Sequence, residues 1–307
     1  MKLKNYKPKP HLSPTSAINF ARCPRLYFYK NGCNLRTSDI TPIPLTFGSA
    51  IHAGLPLAYD DLDGALSAFH SVWQDTEGDE KRNPRRAELM FANFYQFHQR
   101  HNVYTVLETP HDENYELVSR VSPVEQPFAF DIGTDHIVVG KIDNCGRHTA
   151  SQKVFAIEYK TTSELSSRFL NSFLMNMQVF TYALALNISG TEECAGTIVE
   201  AIRVAKPLKS GANNTETVAY PISVPHHQHE ETIKWYQGLS KGISKCERDE
   251  DFPMNQGMCN PYGAYGTCGY NCPYIELCQQ EDWTDLYDAF VVEERKPFII
   301  EKGKQVE

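Results

Sequence analysis

The chain has 307 residues, 41% of them hydrophobic and 22% charged, and its 30 Lys and Arg against 38 Asp and Glu give a net charge of −8. That balance excludes a chain disordered throughout, and apolar runs such as Phe173 to Met175 fall far short of the ~20 residues a bilayer span requires, so no membrane partner is expected. The length suits about two domains, or one large α/β core with a helical insertion.

Residues 1–11 form a basic arm with Lys2, Lys4, Lys7 and Lys9, and no apolar core of a secretion signal follows it. A cytoplasmic location is expected. From Ser13 to Lys30, SPTSAINFARCPRLYFYK opens on helix-capping hydroxyls and sets Ile18, Cys23, Leu26 and Tyr27 near one helical stripe, with Pro24 breaking the helix just after Cys23. Helical material continues through TFGSAIHAGL, DLDGALSAFHSVWQ and RRAELMFANFYQFHQRHN, read as an insertion over about 50–110.

From about 115 the pattern shifts to short β-branched and aromatic stretches, YELVSRV, FAFDIG, HIVVGKID and KVFAIEYKTT, which predict a largely antiparallel meander. SSRFLNSFLMNMQVFTYALAL predicts one long helix lying on a sheet, GTIVEAIRVAK and ETVAYPISV predict further strands, and residues 226–246 read as a polar helix. The candidate α/β core therefore covers about 112–225, a cysteine-rich stretch covers 252–280, and 281–307 is a tail.

Chemistry concentrates where Asp143 ends HIVVGKID and Glu158 and Lys160 follow in VFAIEYKTT. A strand alternates its side chains, so residues 158 and 160 project together while Tyr159 points away. Two carboxylates and an ammonium can then share one pocket, the former to hold a divalent metal and the latter to orient water or offset charge in phosphodiester hydrolysis. Asp79 with Lys81 and Glu294 with Lys296 repeat the spacing, but neither follows an apolar strand, and they read as solvated charge. His52 stands one helical turn after Gly48, and imidazole is a competent metal ligand. Gln178 and Tyr182, four apart, share a helix face.

This order, Gly48 and His52, Asp143, Glu158 with Lys160, then Gln178 with Tyr182, resembles the RecB-type exonuclease branch of the PD-(D/E)XK nuclease superfamily across roughly residues 12–280. The resemblance implies a restriction-endonuclease-like mixed sheet flanked by helices. It also implies metal-dependent DNA cleavage, with His52, Asp143 and Glu158 as ligands of Mg²⁺ or Mn²⁺, Lys160 as the catalytic lysine, and Gln178 with Tyr182 positioning DNA and the active centre. Glu158 stands where many relatives carry aspartate, a choice the superfamily pattern permits.

Nine cysteines without a signal peptide read as ligands or buried thiols in a reducing compartment. Cys259, Cys268, Cys272 and Cys278 crowd into MCNPYGAYGTCGYNCPYIELC, and zinc held by all four is the simplest reading of that spacing. The resemblance extends to iron–sulfur members of the branch, among them helicase-associated nucleases, CRISPR adaptation nucleases and phage exonucleases, which use one early and three late cysteines. It implies a [4Fe–4S] cluster on Cys23, Cys259, Cys272 and Cys278, with Cys268 the alternative to Cys259, joining the N-terminal helix to the C-terminal segment.

With a negative net charge, DNA binding has to rely on local patches. Candidates are the arm, Arg22 with Arg25 and Lys30, and Lys81, Arg82, Arg85 and Arg86, with Tyr27, Phe28 and Tyr29 available to stack on unpaired bases. The expectation is a metal-dependent exonuclease acting on single-stranded DNA ends in recombination, repair or replication, with a helicase or recombination partner. Its rivals are an inactive DNA-binding or assembly module of the same fold and a zinc-binding interaction protein.

Overall fold

A computed structural model describes residues 10–37, 42–74, 79–106, 126–189, 192–206, 208–209, 214–255, 272–280 and 290–293. In chain order the elements are β1 (His11–Leu12), α1 (Pro14–Arg22), α2 (Pro24–Tyr27), a π-turn (Phe28–Gly32), β2 (Leu35–Arg36), α3 (Ile43–Gly54), α4 (Leu62–Val72), α5 (Pro84–His101), β3 (Tyr104–Val106), β4 (Gln126–Asp131), β5 (Ile137–Ile142), β6 (Asn144–His148) and β7 (Val154–Thr162). They continue with α6 (Ser167–Asn171), α7 (Met177–Ser189), β8 (Cys194–Arg203), β9 (Thr217–Ser223), α8 (His226–Arg248), α9 (Ile275–Gln279) and β10 (Val291–Val292). No described helix is long and apolar enough to cross a membrane. The basic arm up to residue 9, the stretch YELVSRV, Cys259, Cys268 and most of the tail lie outside the described residues.

The chain divides into two compact units. The first comprises residues 1–40, 129–140 and 230–299. Here Ser13 caps α1 through a reciprocal box with Ser16, Pro14 occupies the first turn, and Cys23 is extended (φ −162°) before Pro24 restarts the helix. β1 pairs in parallel with β5, and α8 is tied down by Gln237 to the Ile132 carbonyl (2.7 Å) and by Ser240 to His136 Nδ1 (2.8 Å).

The second unit comprises residues 41–128, 141–229 and 300–307 and carries a five-stranded sheet in the order β3-β6-β7-β8-β9. Its central strand β7 runs antiparallel to β6 and parallel to β8, the α6–α7 segment forming the crossover that a parallel pair requires. One apolar cluster joins Phe155, Ile157, Tyr159, Ile198 and Ile202 to the helices α3, α4 and α5. A second joins Val199 and Ile222 to Val179, Phe180 and Ala183 of α7. Both faces of β7 are therefore covered, which is why its first six residues are buried without interruption.

Two expectations are corrected. FAFDIG and HIVVGKID do not continue one meander into KVFAIEYKTT; β4 and β5 pair in a three-stranded sheet with β1, and after the bend at Asp143 the chain enters the five-stranded sheet through β6. The long helix is two helices. Residues 172–175 form a turn that keeps Phe173 buried but puts Leu174 and Met175 in solvent, the latter 75% exposed, and Asn176 Oδ1 accepts the Gln178 amide (2.8 Å), so that its side chain starts α7 afresh.

Candidate active site

Alternation along β7 sends Glu158 and Lys160 to one face and Tyr159 to the other, where it is fully buried. Glu158 is only 2% exposed, which removes the reading of an ordinary surface ion pair. Lys160 Nζ donates to Glu158 Oε1 and, at 3.3 Å, to Gln178 Oε1. Gln178 in turn donates through Nε2 to the Tyr182 hydroxyl (2.7 Å), as the four-residue spacing on α7 allows. Tyr182 is buried and meets the Phe128 ring edge-on at 5.8 Å.

Asp143, at the bend between β5 and β6, accepts the backbone N–H of Tyr159 on Oδ2 (2.8 Å), so the strand that carries Glu158 and Lys160 also fixes Asp143. His52 on α3 brings Nδ1 to 3.6 Å from the same oxygen. Gly48, one turn earlier, faces β7: a Cβ there would make ordinary contact with Thr161 Oγ1 at 3.4 Å. The residues that the sequence singled out thus fall into two contacting sets, His52 with Asp143, and Glu158, Lys160, Gln178 and Tyr182, which the Tyr159 backbone joins.

The two carboxylates are tuned apart. Burial opposes ionisation of Asp143, but the close approach and charge of His52, the hydrogen bond from the Tyr159 N–H and the charge of Lys160 outweigh it and hold the carboxyl below its ordinary range. Glu158 is pushed up to about 7, by burial first and by the neighbouring Asp143, against the attraction of Lys160 and His52. Its Oε2 is buried with no hydrogen-bond partner among the described residues. Three His, Cys, Asp or Glu side chains in an arrangement that would hold an ion as it stands do not occur among the described residues. The donor chemistry nevertheless suits a hard divalent cation, since the Asp143 carboxylate and His52 imidazole lie near Glu158, whose Oε2 is a buried acceptor without a partner among the described residues.

Behind β7 lies a buried polar network that the sequence reading missed. Glu200 of β8, wholly buried, accepts from Tyr104 (2.5 Å) and Tyr59 (3.2 Å), and its Oε1 lies 2.9 Å from His98 Nε2, close but not aligned for a hydrogen bond. Tyr59 also meets the Tyr159 hydroxyl (2.9 Å), to which Asn144 Nδ2 donates (3.2 Å). The available signal was the acid in Thr197 to Ile202, an otherwise apolar strand apart from Thr197, because a carboxylate there needs several donors.

In the first unit, Cys23 and Cys33 are buried and Cys272 and Cys278 are half-buried, and no disulfide joins the described cysteines. The Tyr29 phenol is pushed far up by burial first and then by the charge of Cys278, partly offset by Arg25, with Cys33 and Cys23 adding to the rise. Cys23 Sγ accepts the Asn255 amide at 3.4 Å. Around it, Arg25 Nε donates to the Phe252 carbonyl (3.0 Å), Asn255 Nδ2 to the Arg22 carbonyl (2.9 Å) and Tyr274 to the Leu35 carbonyl (2.6 Å). Cys33, which the sequence reading left among the scattered thiols, belongs to this neighbourhood; its thiol is pushed up to about 12 by burial.

The aromatic stacking platform is corrected. Tyr27, Phe28 and Tyr29 are at most 1% exposed and pack on Phe252 and Tyr274, so they are core rings. Arg86 is buried too and donates to the Ala205 carbonyl (2.6 Å) and Asn214 Oδ1 (3.1 Å), which removes it from the basic patch.

No curated protein sequence matches the chain significantly. Among solved structures, a candidate exonuclease from Eubacterium rectale is 14% identical, with a TM-score of 0.49, over 85% of this chain and 88% of its own. A protein designated SSO0001 is 13% identical, with a TM-score of 0.31, over 77% of this chain and 78% of its own. Both scores fall below 0.5, and neither likeness adds to the assignment. The family match is decisive: residues 11–279 fit the model of the PD-(D/E)XK nuclease superfamily, and the chain belongs to that superfamily.

Proposed function

We propose that this chain is a divalent-metal-dependent DNA exonuclease of the RecB-type branch, hydrolysing phosphodiester bonds at single-stranded ends in recombination, repair or replication. The observation that carries this reading is Glu158: a buried carboxylate beside Asp143, with one oxygen on Lys160 and the other without a partner among the described residues. His52, Asp143 and Glu158 would hold Mg²⁺ or Mn²⁺, which when bound supplies a Lewis acid for the phosphate and lowers the pKa of water. Asp143, ionised through its contacts with His52 and Tyr159, is the site's standing negative charge. Lys160, held between Glu158 and Gln178, orients the attacking water and offsets charge that develops on the phosphate oxygens. Gln178 and Tyr182 fix the direction of that ammonium.

In the first unit we assign a [4Fe–4S] cluster to Cys23, Cys272, Cys278 and one of Cys259 and Cys268. The amide donated to Cys23 Sγ supports this reading, since hydrogen bonds to sulfur are a feature of such sites. Zinc on the late cysteines is the second reading. Anaerobically purified protein should be brown and carry iron and acid-labile sulfide; a colourless preparation with stoichiometric zinc would reverse the choice.

The deciding experiment is cleavage of 5′- and 3′-labelled single-stranded DNA with and without Mn²⁺. Wild type should degrade the strand only with the ion, and Glu158→Ala and Lys160→Ala should be inactive yet folded. Full activity in both variants would overturn the site, and DNA binding without cleavage would favour the inactive assembly module.

A further inference from the structure

The cavity that His52 and Lys160 help to line has a volume of about 500 Å³, and most of its wall has no part in the chemistry described above. α3 contributes Pro44, Leu45 and Ser49, the end of β7 contributes Thr161 with Ser163 just beyond it, and the segment before α5 contributes Arg82. Leu45 is 60% exposed, an apolar side chain left bare beside a polar site.

Arg82 is held in place. Its backbone N–H and its Nη1 both reach the Asp79 carboxylate, at 3.0 and 3.2 Å, and Asp79 also accepts the Lys81 amide at 2.8 Å. Among the described residues Asp79 is the only acceptor that the Arg82 guanidinium meets, which leaves the rest of its fork for a ligand. A planar fork of donors suits phosphate, hydroxyls add further donors, and a bare aliphatic surface suits the face of a base. The volume lies within the range of small-molecule sites and is far too small for a duplex.

We propose that this cavity is the subsite for one unpaired nucleotide flanking the scissile phosphate, with Arg82 on its neighbouring phosphate and Leu45 against its base. The proposal rests on the nuclease reading of the adjoining site and adds the residues that select the strand. A nucleotide enters only when its base is unstacked and unpaired, so discrimination against duplex ends arises from the cavity rather than from the metal centre. Arg82 and Leu45 are therefore positioning residues.

The test uses the full chain and a labelled single-stranded oligonucleotide, intact or with a tetrahydrofuran abasic residue placed successively near the end. Arg82→Gln should raise KM for the intact strand about tenfold or more while kcat stays within about threefold. Leu45→Ser should lower kcat/KM about tenfold on the intact strand and leave cleavage of the abasic strand unchanged, because the base it would touch is already gone. Losses from Leu45→Ser and from the abasic residue that multiply, or an Arg82→Gln effect confined to kcat, would overturn the proposal.

Fluorescence polarisation with Ca²⁺ in place of Mn²⁺ reads the same subsite without turnover. Should wild type cut no DNA, the nuclease reading fails while this measurement still decides the subsite. At least tenfold weaker binding by Arg82→Gln, with a Tm near that of wild type, supports it; equal affinity, or no binding by wild type, refutes it.

Discussion

Replacing Glu158 by Gln should stabilise the protein in the absence of divalent ions, increasingly as the pH rises from 4.5 to about 7 and to a constant extent above that. Burial next to Asp143 raises this carboxyl from the ordinary 4.5 to about 7, even though Lys160 pulls the other way. A group whose folded pKa is raised favours the fold in its neutral form. That contribution is complete below pH 4.5, falls progressively from there and is gone once the pH has passed 7. At about 1.4 kcal/mol per pH unit, the interval corresponds to a ceiling of about 3 kcal/mol. Gln has nearly the same shape, still offers Lys160 an oxygen and never ionises, so it escapes the loss. With about 2 °C per kcal/mol for a chain of this size, the variant should melt about 4–6 °C above wild type at pH 8 in EDTA and together with it at pH 4.5. Saturating Mn²⁺ should reverse the order at pH 8, because the ion stabilises only the chain that binds it. Equal melting differences at both pH values, or a variant less stable than wild type at pH 8 in EDTA, would refute the account of Glu158 as a desolvated carboxylate waiting for a counter-ion.

Three further outcomes follow from the packing. Gly54→Ala should lower stability by about 1–3 kcal/mol in chemical denaturation, since a Cβ there would sit 2.6 Å from the Ala65 carbonyl and closer still to the Phe91 ring, forcing α3 away from α4 and α5. Phe28→Ala should cost about 3–5 kcal/mol and leave the affinity of the folded fraction for single-stranded DNA unchanged in a filter-binding titration, because the ring packs on Phe252 at 5.1 Å and is wholly buried. Tyr159→Phe should cost about 1–2 kcal/mol by leaving Asn144 without its acceptor and should raise the Mn²⁺ concentration needed for half-maximal cleavage.

The site was legible wherever its logic is local. Alternation along VFAIEYKTT put Glu158 and Lys160 on one face, four-residue spacing joined Gln178 to Tyr182, and Pro24 ended the first helix beside Cys23. It was illegible where long-range pairing decides. The short strand β6, NCGRH, carries no alternation or β-branched signal and exists because β3 and β7 bracket it. Tyr27, Phe28 and Tyr29 sit among basic residues in the sequence, which suggested a DNA-facing platform, but Phe252 and Tyr274, more than 200 residues away, bury them. Asn176 broke a run whose apolar content alone favoured continuing the helix.

The placement of Glu200 explains why the front of β7 can keep a charge-dense arrangement in register. Glu200 pairs with Tyr159 across β7 and β8 and lies between Ile198 and Ile202 on the covered face, so its carboxylate must gather Tyr59, Tyr104 and His98 around it. Tyr59 passes the network on to the Tyr159 hydroxyl, and Asn144 closes it from β6, one residue after Asp143. The backbone of the same Tyr159 holds the Asp143 carboxylate. Asp143 is thus fixed twice, by an amide on the strand that carries Glu158 and Lys160 and by a side-chain neighbour anchored in the core. Repulsion between two carboxylates would push apart a bend held only by solvent-exposed contacts. Here that displacement would require Asn144 to leave Tyr159 in a buried, low-dielectric setting, where an unpaired amide costs about 1–3 kcal/mol. The polar core behind the sheet therefore opposes the electrostatic strain in front of it.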